Sequence, residues 1–300
     1  MSLLPRPSIW IATVGLAALN AALLPWAGFS VVSMPLLAIA SLSAVLLALA
    51  GFYATRRPAP IIAASLSATA FLVAYSAVAA LFSYIITTSA LPLRDQELAA
   101  MDQALGFDFP AHIGWLVERP HISTLLEWVY FSCSGQLIFI LIGLAIKDRP
   151  ALERFLTIYT LTSLVVLIGS ALLPALGTYP FHEIGADILQ PFGRYHLAHY
   201  HALRDGSFAS FDLREVEGLV TFPSFHAVLA VIMTRAFWRL GWLGPVGAVL
   251  NGVMLVSTLA IGGHFLTDIV AGIVIALMAL WWLDRPRTAD LNPAPDRAGP

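Results

Sequence analysis

Two short stretches of the chain hold residues able to do chemistry. The first is PSFH at 223–226, where Ser224 and His226 open an otherwise apolar run. The second is STLAIGGHFLTDIVAG at 257–272, where His264 and Asp268 stand four apart. Residues at that spacing share one helix face, so Asp268 can accept the ring N–H of His264 and fix its tautomer. The other ring nitrogen then keeps a lone pair with which to attack phosphorus. A second imidazole, His226, can protonate a departing alkoxide, which is a poor leaving group otherwise. Ser224 adds a hydroxyl at a helix start, where unpaired N–H groups and the helix dipole favour an anion. Pro223 suits the first helical turn, where its missing N–H costs nothing. Taken singly, each residue has a plainer reading: an interfacial histidine, an aspartate paired with a remote arginine, a serine cap. Two histidines, one aspartate and one serine at the same face of the same bilayer make a stronger case.

The elements that position them are apolar helices. Of 300 residues, 59% are hydrophobic and only 11% charged, and mean hydropathy is +0.81. Soluble domains carry about 25% charged residues. Several uninterrupted apolar runs reach the roughly 20 residues that a spanning helix needs. The expected fold class is an all-α polytopic membrane protein with about eight transmembrane helices, at 8–25, 31–53, 60–87, 121–146, 151–174, 221–241, 245–262 and 264–283. The first run has the basic start and apolar middle of a signal peptide, but its charge is weak and its apolar stretch long, so it is read as a span. Eleven basic residues, among them Arg56, Arg57, Lys147, Arg235 and Arg239, fall on one side of this arrangement and five on the other. The positive-inside rule therefore predicts cytoplasmic termini, with PSFH and HFLTD at the external face of a plasma membrane, or of the inner membrane in a bacterium. A net charge of −2 gives no case for nucleic acid. The one cysteine, Cys133, forms no intrachain disulfide and reads as packing.

The chain divides into two N-terminal helices within 1–55, a six-helix unit at 60–283 and a Pro-rich charged tail at 284–300 expected to be disordered. External loops occupy 88–120 and 175–220. In the first, Leu98, Met101 and Leu105 share a side and predict an interfacial helix. The second concentrates His182, His196, His199 and His201. Gly262 and Gly263 break the last two spans apart, and Gly272 extends the face of His264 and Asp268, where it allows close helix approach. No internal repeat is present.

These residues resemble the type 2 phosphatidic acid phosphatase superfamily, whose second and third motifs read P-S-x-H and S-R-x5-H-x3-D-x3-G. PSFH matches the second, and 257–272 matches the third except that Thr258 stands where arginine is expected. The first motif, K-x6-R-P, is not recognisable, since the only lysine is Lys147 on the cytoplasmic side. Missing basic residues, together with LLPALGTYPF at 172–181, resemble the branch of inositol phosphorylceramide and sphingomyelin synthases. The resemblance implies a metal-independent lipid phosphatase or phosphotransferase without a cofactor. It makes His264 the nucleophile that becomes phosphohistidine, Asp268 its orienter, His226 the general acid and Ser224 a phosphate ligand. Losing both basic clamps leaves positive charge to be found, and Arg204 in ALRDGSF is the preferred source, ahead of Arg194 and Arg214.

The substrate is then a membrane lipid, with water or a lipid hydroxyl as acceptor. Head-group transfer of a phospho-alcohol such as inositol phosphate is the alternative. Other classes fit less well. A serine protease wants a Gly-rich setting that TFPSFHA lacks, metal-dependent alcohol phosphotransferases need four aspartates, and a proton-coupled transporter places its ionisable groups near the midplane. Packing, dimerisation in a homo-oligomer, or lipid entry are open roles for the first two spans.

Overall fold

The computed structural model describes residues 7–185 and 196–284. The predicted tail beyond 284 lies outside the described residues. Twelve α-helices account for nearly all of the described chain: α1 (Pro7–Leu23), α2 (Ser33–Thr55), α3 (Pro60–Thr87), α4 (Asp95–Ala104), α5 (Phe109–Val117), α6 (Pro120–Lys147), α7 (Arg149–Leu172), α8 (Thr178–Phe181), α9 (His196–Asp205), α10 (Phe225–Arg239), α11 (Leu243–Ala260) and α12 (Leu266–Asp284). The protein is an all-α polytopic membrane protein. Seven of its helices are long and apolar enough to cross a bilayer.

Helix starts follow ordinary chemistry. Pro60 and Pro120 open α3 and α6, where a missing N–H is harmless. Asp108, Asp148 and Ser224 cap α5, α7 and α10 by accepting from the N–H groups of Ala111, Ala151 and Ala227. The central core joins α1, α3, α6, α7, α10 and α12 through residues such as Phe71, Ile140, Leu156, Met233 and Ala276. Helix α2 packs on α3. Two parallel residue pairs, β1 (Ser30–Val31) with β2 (Ser210–Phe211), tie the α1–α2 connection to the loop after α9.

The sixth expected span differs. Residues 221–241 do not form one long helix, because Thr221–Pro223 are non-helical and α10 begins only at Phe225. Its 15 residues extend about 22 Å at 1.5 Å per residue, against a hydrocarbon core of about 30 Å. Non-helical backbone at such depth is tolerated where it lines a cavity open to water, and Val220 and Thr221 line a cavity. Pro223 is correspondingly not in the first turn, since it precedes the Ser224 cap.

The 88–120 connection is built structure over the reactive end of the bundle. Helix α4 forms as expected, but its buried face is not the apolar one. Met101 and Leu105 are 53% and 61% exposed, whereas Asp95, Leu98, Ala99 and Asp102 are buried. Both carboxylates bind backbone. Asp95 accepts from the N–H groups of Leu176 (2.9 and 3.1 Å) and Gly177 (2.8 Å). Asp102 accepts from Leu266 N–H (2.8 Å), Thr267 N–H (2.8 Å) and the Thr267 hydroxyl (2.6 Å). Counting apolar residues alone misses this face, because its strongest contacts are polar. Helix α5 adds an apolar cover of Phe109, Ile113 and Leu116 against Leu126, Tyr179 and Ile261.

Replacing Asp102 by Ala strands three donors at the start of α12. The expected loss is about 2–4 kcal/mol, read as a thermal unfolding midpoint several degrees lower in detergent, whereas Met101→Ala should leave the midpoint unchanged.

Candidate active site

Four of the five predicted site residues converge. His264 follows the Gly262–Gly263 turn, and Gly263 takes a left-handed φ of +64° that reverses the chain after α11. The reversal lets His264 N–H donate to the Thr258 carbonyl at 3.3 Å, so the imidazole folds back beside the end of α11. Its Nδ1 lies 3.2 Å from Asp268 Oδ2, which also accepts the Phe265 N–H at 3.0 Å. Its Nε2 lies 3.3 Å from Ser224 Oγ. Ser224, His264 and Asp268 therefore form one hydrogen-bonded line, buried throughout. An aspartate beside Nδ1 puts the proton there and leaves the lone pair on Nε2.

A backbone bond from Ser224 N–H to the Asp268 carbonyl (3.1 Å) stitches the start of α10 to that of α12. Gly272 permits the approach: a Cβ there would collide with the Ser224 carbonyl oxygen and lie 2.9 Å from the Ala227 Cβ. Ser224 makes two contacts here. It is the N-cap, accepting from Ala227 N–H at 3.3 Å, and it contacts the histidine.

His226 and His264 line a cavity of about 440 Å³, within the range of small-molecule sites. Its apolar wall comes from Phe131, Leu137, Phe225 and Leu229, and Cys133, expected simply to pack, is part of the lining. The sequence reading does not anticipate Tyr130. Its ring stacks on His226 with centroids 4.4 Å apart and planes at 27°. Its hydroxyl is 3.3 Å from His226 Nδ1. A phenol donating to Nδ1 leaves the His226 proton on Nε2.

Arg204 is not brought to the others. Its guanidinium donates to the Leu91 carbonyl at 2.8 Å, sits over the Tyr200 ring at 5.7 Å, and is absent from the cavity wall. Arg214 pairs with Asp212, and Arg194 lies outside the described residues. Thr258 is buried, with its hydroxyl donating to the Leu255 carbonyl, and supplies no charge. The loop histidines divide by role. His182 stacks on Phe109 and His199 binds the Tyr84 hydroxyl, whereas His196 lines the cavity. Burial holds the His196 imidazole below its ordinary pKa. Among the described residues no group of three His, Cys, Asp or Glu side chains is arranged to hold a metal ion.

The two predicted helix N-termini fare differently. At α12, Asp102 and Asp268 take the first N–H groups. At α10, the N–H groups of Phe225 and His226 have no hydrogen-bond partner among the described residues, leaving that end open to an anion.

The result is a polytopic helical bundle in which a buried Ser–His–Asp line meets, through His264, a cavity that a second histidine also lines. The sequence model of the PAP2 superfamily matches residues 96–282, from within α4 almost to the end of α12, and the chain belongs to that superfamily. Membership supports phosphatase-type activity on lipid phosphoesters. No curated protein and no solved structure matches the chain.

Two variants probe the geometry. Gly272→Ala forces α10 and α12 apart at Ser224 and should lower turnover at least tenfold, with overpacking of about 1–3 kcal/mol. Tyr130→Phe removes one hydrogen bond and keeps the stacked ring; turnover should fall severalfold, and further in Tyr130→Ala.

Proposed function

We propose that this protein transfers the phosphoryl group of a membrane lipid phosphate through a covalent phosphohistidine on His264. The Ser224–His264–Asp268 line, opening onto a cavity shared with His226, carries this reading. Asp268 steadies the Nδ1 proton and the charge that grows on the ring as Nε2 attacks phosphorus. The N–P bond forms as the P–O bond to the lipid alcohol breaks. His226 enters this step as the imidazolium, with Nδ1–H turned to the Tyr130 oxygen, gives its Nε2 proton to the departing oxygen and is left neutral. Ser224 releases Nε2 and turns its hydroxyl to a phosphate oxygen beside the open N–H groups of α10. In the second step an acceptor hydroxyl loses its proton to His226, attacks phosphorus and breaks the N–P bond.

When water is the acceptor the protein is a phosphatase. One observation favours the second reading, head-group transfer to a lipid hydroxyl as in the sphingolipid synthase-like branch. No lysine or arginine is found among the described cavity-lining residues, and Glu217 is one of them. A phosphodiester carries less charge than a phosphomonoester dianion and needs less compensation. The distribution of arginines supports a site at the external face. Arg154, Arg235 and Arg239 line a cleft with Leu144 and Leu280, near the ends of α6 and α12 remote from His264.

Purified protein incubated with lipid phosphates, with and without acceptor lipids, separates the outcomes as released inorganic phosphate or a new phospholipid. His264→Ala should abolish both at unchanged folding. Wild-type protein quenched during turnover should carry an acid-labile, base-stable phosphate. Full activity in His264→Ala would sink the mechanism.

A further inference from the structure

We propose that His196 is a third functional imidazole of this site, a phosphate-binding residue that supplies the positive charge missing at Thr258. The inference rests on the phosphoryl-transfer reading above and deepens it. His196 is 6% exposed and lines the same cavity as His226 and His264. Its Nε2 is 3.0 Å from the Leu176 carbonyl oxygen. A carbonyl only accepts, so Nε2 carries the proton. That leaves Nδ1, which has no hydrogen-bond partner among the described residues, as the nitrogen available to an anion.

The peptide that holds the ring is itself fixed. Leu176 receives His196 on its carbonyl and gives its N–H to both oxygens of Asp95, which takes the Gly177 N–H as well. Asp95 on α4, the Leu176 peptide and His196 on α9 thus form a relay ending at the cavity. Asp95 is a positioning residue, and His196 is the group that touches the anion. Gly177 is required here, since its φ of +109° favours glycine and a Cβ would lie 2.9 Å from the Gly263 carbonyl.

Neutral in the empty site, the ring takes up one proton at Nδ1 as the anion enters. The resulting imidazolium donates Nε2–H to Leu176 and Nδ1–H to a phosphate oxygen, a charge-assisted bond in a site shielded from bulk water. A phosphomonoester monoanion can supply that proton itself, so charge is separated inside the cavity with none added. The titratable and charged groups around the ring are His264 before α12, Glu217 before α10, Asp95 on α4, and Tyr200, His201 and Arg204 on α9 itself. None of them is a cation facing the cavity. A histidine serving only to hold Leu176 would need one nitrogen and no place in the cavity wall.

Sulfate is the useful probe, because it has no proton to give near neutrality, so any proton taken up belongs to the protein. In wild-type protein, sulfate affinity measured by calorimetry should fall about tenfold per pH unit above the pKa of the free ring. His196→Gln, whose amide still reaches the Leu176 carbonyl, should bind sulfate about 10–100-fold more weakly near pH 6 and lose that slope. His226→Gln and His264→Gln should keep it. Nitrogen NMR of histidine-labelled wild type needs no variant: the His196 ring should become doubly protonated when sulfate is added. Wild-type affinity and slope in His196→Gln, or protonation confined to His226 or His264, would overturn the proposal. A protein that turns over no lipid phosphate yet loses pH-dependent sulfate binding in His196→Gln would retire the reaction and leave the anion site standing.

Discussion

Two buried carboxylates on one short helix hold the reactive end of this bundle together. Breaking helices at 173–177 and 261–265 leaves backbone N–H groups unpaired inside the protein, and buried unpaired donors are costly. Asp95 and Asp102 are themselves costly to bury as anions. Each need is met by the other. The seven-residue spacing puts both carboxylates on one face of α4, two turns apart. One fixes the segment carrying Leu176 and Gly177, the other the first turn of α12. Since that turn carries Asp268, and Asp268 holds His264, the orientation of the imidazole is set by a helix that contributes no reacting group.

The same arrangement decides where an anion can sit. Helix α12 has its end filled by the protein's own carboxylates, so its dipole serves Asp102 and Asp268. Helix α10 is capped only by the neutral hydroxyl of Ser224. In the proposed site, the negative charge already buried near α12 and the open N–H groups at α10 would favour a phosphate beside His226 and His196. On that reading, backbone and imidazoles do the work that lysine and arginine would otherwise do.

Much of this was legible in the residues. Apolar runs betray the helices, and the H-x3-D spacing places His264 with Asp268, because residues four apart share a helix face. Ser224 and His226, two apart, have no such relation, and Ser224 meets His264 instead. What the spacing could not show is contact between elements distant in the chain. Tyr130 meets His226 across 96 positions and Asp102 meets Thr267 across 165. Hydrophobic periodicity marks α4 as a helix but not what holds it down: Met101 and Leu105 face outward, and the inward face carries the Asp95 and Asp102 carboxylates beside Leu98. The clustering of histidines at 182, 196, 199 and 201 was a true signal without resolution: it marked the loop, while only the fold separates His196 from its three neighbours in sequence. Arg204 has the charge and the loop position, but the fold commits it to the Leu91 carbonyl.

The brevity of α10 bears on the surrounding lipid. From the hairpin it shares with α11, α10 is three residues shorter than its partner (15 against 18), so its start stops about 4.5 Å short of the far end of α11. His264 folds back to the level of that recessed start. On the proposed lipid-phosphate reading, the substrate's phosphate has to come to that recessed level, by the lipid sinking or the leaflet thinning. Thinning a leaflet costs a fraction of a kcal/mol per ångström of mismatch. The proposed reaction would then depend on the thickness and stiffness of the membrane, with the bilayer as a silent co-determinant of rate.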